Sequence, residues 1–325
     1  MIDLIEVVSR RARQPVQAGL VDDGSFVEQI WPAVQARLAQ AGSEAELLAA
    51  AVEVAAGAER LATVFVAGYQ AALRALLVRA GVGLGGAEQA AILCLAATEA
   101  GGARPSAIQT RLTVDADGFN LQGAKQWTTG AGPAVASHFL VVARRGERQL
   151  SDGKRVADLV VVRVDSTQAG VEVSPMPPTA FIPEVPHGRP NFSGVHVAQA
   201  SLLPGDGYTQ YLKPFRTAED IFVMGSVAAY LLSYALRRDQ QQMGVLCAHV
   251  LQSLQALVQN PWLEPCVHLA LAGIVESMGR AASMAETLWT DDAAQLERWR
   301  RDQVLLHVAG RAREARAHSA WDSLR

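Results

Sequence analysis

The stretch from residue 98 to residue 130 constrains the fold of this chain more than any other segment. Within it, residues 111–115 and 119–122 alternate apolar and polar side chains, which predicts two β-strands that each bury one face. The sequence Asp115-Ala116-Asp117-Gly118 separates the strands and is typical of a hairpin turn, in which Gly118 is free to take a positive φ. The side chains expected to face each other are Leu112 and Val114 on the first strand and Phe119 and Leu121 on the second.

The residues around this hairpin resemble a known family. The order Thr-Glu-x-Gly from Thr98, followed by Asp-Gly-Phe-x-Leu-x-Gly-x-Lys-x-Trp-x-Thr from Asp117, resembles the central β-domain of acyl-CoA dehydrogenases. Such domains hold the isoalloxazine ring of FAD between two helical domains. The resemblance implies a divergent, shortened member with the α+β, acyl-CoA dehydrogenase-like fold. Its expected parts are a helical N-terminal domain (1–97), a central β-barrel-like domain (98–212) and a C-terminal helical bundle (213–325).

The resemblance also implies a seat for the flavin ring. A flavin has a flat apolar face and an edge of nitrogen and oxygen atoms, so it needs an aromatic neighbour and polar groups in fixed places. By resemblance, Trp127 packs on the ring, Thr129 hydrogen-bonds near its reactive N5 and Thr98 reaches the pyrimidine end. Thr128 belongs to the same cofactor-binding segment. The alternative is that Trp127 is a core aromatic residue and the threonines are strand formers.

The rest of the sequence agrees with helical regions on either side of a β-region. Apolar residues recur at helical spacing from residue 43 to residue 82, and the glycine run at 81–86 is typical of a helix end. A further helix is predicted over about 87–97. Strands are predicted at 139–144, 158–164 and 194–197, and helices at about 217–239, 241–258, 262–290 and 293–320.

Composition and charge exclude several classes of function. The 325-residue chain has a formal net charge of −3, so it has no basic surplus for nucleic acid. We see no signal peptide, and no apolar run approaches the roughly 18–20 residues of a membrane span. The cysteines are scattered, and no cluster of His, Cys and acidic residues has metal-ligand spacing. We therefore expect a cytoplasmic protein that binds no nucleic acid, membrane or metal.

The family reaction needs a carboxylate that removes the α-proton of an acyl thioester while the β-hydride passes to flavin N5. Family members place this base at one of two positions. The first follows an Arg-Asp pair, which resembles Arg301-Asp302 here, and the matching position falls at or next to Gly310, without a carboxylate. The second lies at the start of the first helix after the β-domain, where Glu219 stands. By resemblance, Glu219 is the catalytic base.

Alternatives remain for this and for two other polar residues. Thr217 followed by Asp220 is similar to a capping box, and acidic residues in a first helical turn favour the helix dipole, so Glu219 also fits a structural role. His307 resembles a late histidine of flavin monooxygenases with this fold, and it also fits a helix surface. His187, in a proline-rich loop, either lines a site or is simply exposed.

The chain departs from the family pattern at several positions. The usual Gly-Ser-Asp run is replaced by residues 103–106, and an arginine that usually follows the base is Asp220. Residues 237–244 and 276–279 lack the motifs that hold the pyrophosphate and adenosine of FAD. The N-terminal domain is also a few tens of residues short.

Three functions are consistent with this pattern. The first is an FAD-dependent dehydrogenase that acts on an acyl-CoA or acyl-carrier thioester and forms a homodimer or homotetramer. The second is a flavin monooxygenase or oxidase on the same fold. The third is a non-catalytic family member that has lost FAD and serves as a binding or assembly subunit.

Overall fold

The computed structural model describes residues 2–16, 29–133, 135 and 137–325, which fall into two compact units. The helical unit consists of Met1–Val78, Thr179–Glu184 and Arg216–Arg325. The sheet unit consists of Arg79–Pro178 and Val185–Phe215. The predicted domain boundaries after residues 97 and 212 stay a prediction.

The helices follow the apolar periodicity of the sequence. They are α1 (Leu4–Ala12), α2 (Trp31–Leu38), α3 (Glu44–Gly57), α4 (Leu61–Arg79), α5 (Gly86–Ala90), α6 (Lys213–Arg237), α7 (Gln241–Leu257), α8 (Pro265–Met284), α9 (Ala293–Asp302) and α10 (Gly310–Ser323). At the start of α3, Ser43 Oγ accepts from Glu46 N at 3.3 Å while Glu46 Oε2 accepts from Ser43 N at 3.1 Å, which is a capping box. The last region, predicted as one helix over 293–320, is instead α9 and α10 separated by a 3₁₀ segment at Gln303–His307.

Within the part of the chain that the structure describes, two helical segments are long and apolar enough to cross a membrane, contrary to the sequence prediction. They are Leu61–Arg79 and Gly207–Arg237, and 89% and 83% of the residues in their most apolar windows are buried within the protein. A helix that is apolar on all sides is common in the core of a large protein, so length and composition alone are weak evidence for a span.

The sheet unit is built on one mixed sheet. Its strands are β1 (Ile92–Ala96), β2 (Arg111–Asp115), β3 (Gly118–Ala124), β4 (Thr128–Thr129), β5 (Ser137–Gln149), β6 (Arg155–Asp165), β7 (Val171–Pro175) and β8 (His187–Val197). The order is β1-β5-β2-β3-β8-β4, with β6 also paired to β5 and β7 to β8. The sheet is nearly closed and barrel-like, which confirms the predicted fold class.

The predicted hairpin is present, but its glycine has a different role. Leu112 lies opposite Leu121 and Val114 opposite Phe119, as expected. Gly118 is not among the residues with a positive φ. A Cβ at this position would lie 2.6 Å from the Val197 carbonyl oxygen, so glycine is needed for the close approach of β8.

The helix predicted over 87–97 is wrong. The structure has one short helix, α5, followed by strand β1, which pairs in parallel with β5 from Ile92 opposite Ser137 to Ala96 opposite Val141. A short, fully buried apolar run has no periodicity that separates a strand from a helix. Strand β1 therefore leads directly into Thr98 and belongs to the sheet.

Candidate functional site

The segment around Trp127 is held in a conformation that its side chain disfavours. Trp127 has φ +54°, which is an outlier for a bulky residue and costs about 1–3 kcal/mol. Hydrogen bonds fix the backbone on both sides, because Gln126 N donates to Thr98 O at 2.8 Å and Gly130 N donates to Pro186 O at 2.8 Å. The strained backbone leaves the Trp127 side chain 45% exposed. Trp127 is therefore presented at the surface of the sheet unit and is not a core residue.

Thr129 and His187 lie beside this indole. Strand β4 pairs with β8 so that Thr129 is opposite His187, and Thr129 Oγ1 lies 3.2 Å from His187 Nε2. The Trp127 and His187 rings meet edge to face, with centroids 6.3 Å apart and an angle of 64° between their planes. Trp127, Thr129 and His187 form one group, which we call the Trp–Thr–His cluster. The proline-rich sequence predicts a loop at His187, whereas in the structure this residue begins β8.

The other two threonines predicted for this site differ in their exposure. Thr98 is joined to the Trp127 segment through its carbonyl oxygen, which accepts from Gln126 N, and it is partly exposed. Thr128 is 1% exposed, and its hydroxyl has no hydrogen-bond partner among the described residues. Neighbouring side chains of a strand point to opposite faces, so Thr128 faces inward where Thr129 faces the cluster.

A buried ion pair lies between the two segments that carry Thr98 and Trp127. Lys125 Nζ is 2.6 Å from Glu99 Oε1 and also donates to Val142 O at 2.6 Å. The Glu99 carboxylate accepts further bonds from Gln109 N at 2.6 Å and, at 3.0 and 2.8 Å, from Thr110 N and Oγ1.

The pKa values of this pair show how strongly burial acts on it. Burial lowers the pKa of Lys125 to about 8, although the neighbouring Glu99 raises it. Burial by itself raises the pKa of Glu99, but the hydrogen bond and charge of Lys125 and the backbone N–H donors outweigh it, so the pKa lies below its usual value. At neutral pH both groups are therefore charged.

Acid is expected to weaken the sheet unit through Glu99. Because the pKa of Glu99 is lower in the folded chain than its usual value of 4.5, its contribution to stability is complete above pH 4.5 and disappears as the pH falls through the folded value. The free energy of unfolding, measured by urea denaturation at several pH values below 5, should decrease more steeply in the wild type than in Glu99→Gln. Parallel curves for the two proteins would contradict this assignment.

An open cleft of about 680 Å³ lies beside the ion pair. Gly123 on its wall has φ +149°, and a Cβ there would lie 2.6 Å from Thr110 Oγ1, so only glycine fits. A cleft of this volume is within the range of small-molecule sites. Its lining residues are Glu99, Ala100, Gly101, Ala107, Gln109, Thr110, Gly123, Ala124, Lys125, Gln126 and Arg189.

In the helical unit, Glu219 has the properties of a base that titrates near neutral pH. Burial is the main cause that raises its pKa to about 7; Asp220 adds to the increase, and nearby arginines oppose it. The capping interpretation of Glu219 is wrong, because α6 begins at Lys213, so Thr217 lies inside the helix and is fully buried. The helix dipole acts mainly on the first turn of a helix, and Glu219 lies beyond that turn.

Asp220 takes part in an ion cluster with α10. It is 4% exposed, and Arg313 Nε lies 2.7 Å from its Oδ1 while Arg316 pairs with its Oδ2. The buried Asp220 carboxylate thus has two arginines as partners. A cavity of about 270 Å³ adjoins this cluster, and His307 lines it together with Leu271 and other side chains.

The comparisons with known proteins agree with this architecture. Residues 94–195 match the family model described as "Acyl-CoA dehydrogenase, middle domain". This segment of the chain therefore resembles the middle domain of the acyl-CoA dehydrogenase family. No curated protein matches the sequence.

Solved structures share the fold over almost the whole chain. An FAD-dependent dehydrogenase has a TM-score of 0.73 at 11% identity, with 100% of this chain and 98% of that chain covered. Butyryl-CoA dehydrogenase from Megasphaera elsdenii has a TM-score of 0.65 at 14% identity, covering 99% and 97%. A prolyl acyl carrier protein oxidase has a TM-score of 0.70 at 14% identity, covering 99% and 98%. At these identities the likeness shows the fold alone.

The described residues fit the flavin ring of FAD better than they fit its pyrophosphate. The Trp–Thr–His cluster offers a half-exposed indole held by a strained backbone, next to hydroxyl and imidazole groups. In the segment that lacks the expected pyrophosphate-binding motif, Arg238 is paired with Asp291 at 2.5 Å, and Arg237 donates to Arg11 O at 3.3 Å. A cleft of about 550 Å³ in the helical unit has further polar side chains in its lining. Its lining residues are Gln241, Gln242, Val245, Leu246, Arg280, Ser283 and Met284.

Within residues 2–16, 29–133, 135 and 137–325, no three His, Cys, Asp or Glu side chains are grouped so that they could hold a metal ion. The cysteines are free thiols; Cys94 and Cys247 are buried and Cys266 is exposed.

Proposed function

We propose that the protein is an FAD-dependent oxidoreductase that acts on an acyl thioester. The observation that carries the proposal is the Trp–Thr–His cluster, in which a strained backbone presents a tryptophan next to polar groups suited to the edge of a flat heteroaromatic ring. Bound FAD would supply the hydride acceptor of the reaction. Trp127 would pack on the ring, Thr129 would hydrogen-bond to its edge and Thr98 would lie at its pyrimidine end.

Glu219 would remove the α-proton of the thioester. A general base works best when its pKa lies near the working pH, and burial brings the pKa of Glu219 to about 7. Such a base suits a dehydrogenase or oxidase that removes a proton from the carbon next to a thioester carbonyl group.

The names of two proteins with the same fold support both kinds of acyl carrier. One is a butyryl-CoA dehydrogenase and the other a prolyl acyl carrier protein oxidase. We propose acyl-CoA and acyl-carrier thioesters as the substrate class, in a homodimeric or homotetrameric enzyme.

FAD uptake is the first test of this function. Purified wild-type protein titrated with FAD is expected to show the visible absorption of a bound flavin and quenched flavin fluorescence. In Trp127→Ala the dissociation constant should rise about tenfold or more, because the aromatic contact with the ring is lost. Trp321→Ala, which removes an indole that is 57% exposed on α10, is the matched control and should bind like the wild type. Equal affinity of Trp127→Ala and the wild type would contradict the proposed seat.

The same FAD titration tests the alternative function, that of a non-catalytic binding or assembly subunit that has lost FAD. The engagement of Arg237 and Arg238 within the helical unit favours a family member without FAD. Colourless protein that takes up no FAD would support that alternative and exclude the oxidoreductase. For protein that does bind FAD, rapid reoxidation of the reduced flavin by oxygen would favour an oxidase or monooxygenase over a dehydrogenase.

A further inference from the structure

The hydrogen bond between His187 and Thr129 has a defined direction. His187 Nδ1 lies 3.1 Å from the Val185 carbonyl oxygen, which can only accept, so Nδ1 carries the proton of that bond. In a neutral imidazole the second nitrogen, Nε2, is then an acceptor. Thr129 Oγ1, 3.2 Å from Nε2, therefore donates its hydroxyl proton to His187.

His187 is neutral near pH 7. Burial lowers the pKa of His187 below its usual 6.5, and the Val185 carbonyl opposes this effect only in part. Among the described residues, on β4, β8 and the connecting segments alike, no charged side chain shifts this pKa. The imidazole therefore remains an acceptor toward Thr129 at neutral pH.

The direction of this bond decides what Thr129 offers to a ligand. A hydroxyl group has one proton, and in Thr129 that proton is directed at His187. The remaining lone pairs of Oγ1 can only accept. A ligand atom that meets Thr129 thus finds an acceptor, which favours an atom that carries a hydrogen.

We propose that His187 directs the Thr129 hydroxyl so that the Trp–Thr–His cluster prefers a flat heteroaromatic ring whose edge nitrogen carries a hydrogen over the same ring without that hydrogen. The inference rests on the proposed function, in which the ring is a flavin and the preferred form is the reduced one. His187 is then a positioning residue that acts through Thr129.

The midpoint potential of the bound flavin tests this role. We would saturate wild type, His187→Phe, Thr129→Val and the double variant with FAD and measure each potential by equilibration with a reference dye. Phenylalanine keeps a flat ring beside Trp127 but cannot accept the Thr129 hydroxyl proton. The hydroxyl is then free to donate that proton to the unprotonated edge nitrogen of the oxidised flavin. The preference for the reduced ring should fall about tenfold, which lowers the potential of a two-electron couple by about 30 mV.

The double variant separates direction from packing. If His187 acts through the hydroxyl, His187→Phe should not change the potential when Thr129 has already been replaced by valine. His196→Phe, at an exposed position of the same strand, is the matched control and should leave the potential unchanged. The proposal would be overturned if His187→Phe changed the midpoint potential equally in the wild type and in Thr129→Val, or changed it in neither.

A second measurement needs no flavin. In ligand-free protein labelled with ¹⁵N-histidine, NMR is expected to show His187 with the proton on Nδ1 and with Nε2 unprotonated, and Thr129→Val should shift the Nε2 resonance. A proton on Nε2 would overturn the proposal. Failure of the wild type to take up FAD would overturn the proposed function and the ring ligand with it, whereas the NMR result would still decide the direction of the bond.

Discussion

Replacing Lys125 with methionine is expected to lower the free energy of unfolding by about 3–5 kcal/mol. Lys125 Nζ lies 2.6 Å from Glu99 Oε1, and the lysine side chain is fully buried. Methionine is similar in length and apolar, so it fills the same space without the charge. The Glu99 carboxylate then remains buried with only the hydrogen bonds from Gln109 and Thr110 to stabilise it. Denaturant unfolding, followed by far-UV circular dichroism, measures the loss.

An exposed ion pair of the same sheet is the control. Arg145 Nε lies 2.9 Å from Asp158 Oδ2, and the arginine side chain is 46% exposed. Because water screens this pair, Arg145→Met should cost only about 0–1 kcal/mol. Changing Lys125 to methionine together with Glu99 to leucine should cost less than Lys125→Met alone, since no unpaired charge is left. Equal decreases in the free energy of unfolding for Lys125→Met and Arg145→Met would show that breaking the buried pair is no more destabilising than breaking the exposed one.

The hairpin beside this ion pair is a part of the fold that could be predicted from the sequence. The segments that carry Thr98 and Trp127 are linked by Lys125, Glu99 and the hairpin between them, all within about thirty residues. Alternating side chains and turn residues are local signals, so this part of the fold can be predicted from the sequence.

Contacts between distant segments gave no such signal. His187 reaches Thr129 only through the pairing of β4 with β8, and the two residues are 58 positions apart. Asp220 meets Arg313 across 93 positions. In a single sequence an arginine on a helix suggests a solvated face, so the cluster on α10 could not be predicted.

The start of α6 at Lys213 differs from the predicted start at residue 217 for a physical reason. Thr217 has the sequence of a cap, but α6 begins at Lys213 after a π-helical turn at Gly207–Leu212, so Thr217 and Asp220 lie inside the helix. Tertiary packing here outweighs the local preference for a cap. The correction matters for function, because it removes the helix-start explanation for an acidic residue at position 219.

Replacing Glu219 with glutamine is accordingly expected to slow the reduction of bound FAD by an acyl thioester about 10²–10⁴-fold. Glutamine keeps the size of the side chain but cannot take up a proton. Anaerobic stopped-flow mixing with a series of acyl-CoA and acyl-pantetheine thioesters, followed by bleaching of the flavin absorbance, measures the rate. FAD affinity should stay unchanged, because the proposed ring contacts lie on other residues. Glu297→Gln, at an exposed position on α9, is the matched control and should reduce FAD at the wild-type rate.

The pH dependence gives this prediction a second, independent readout. Because burial raises the pKa of Glu219 to about 7, the carboxylate form is lost as the pH falls below 7, and kcat/KM should drop about tenfold for each further pH unit. Stability depends on pH in the opposite direction from activity, because the folded chain holds the Glu219 proton more tightly than the unfolded chain does. The contribution of Glu219 to stability is therefore complete below pH 4.5 and is lost as the pH rises through about 7. In Glu219→Gln both trends should disappear together. A variant that keeps the acidic limb of the rate profile would show that another group is the base.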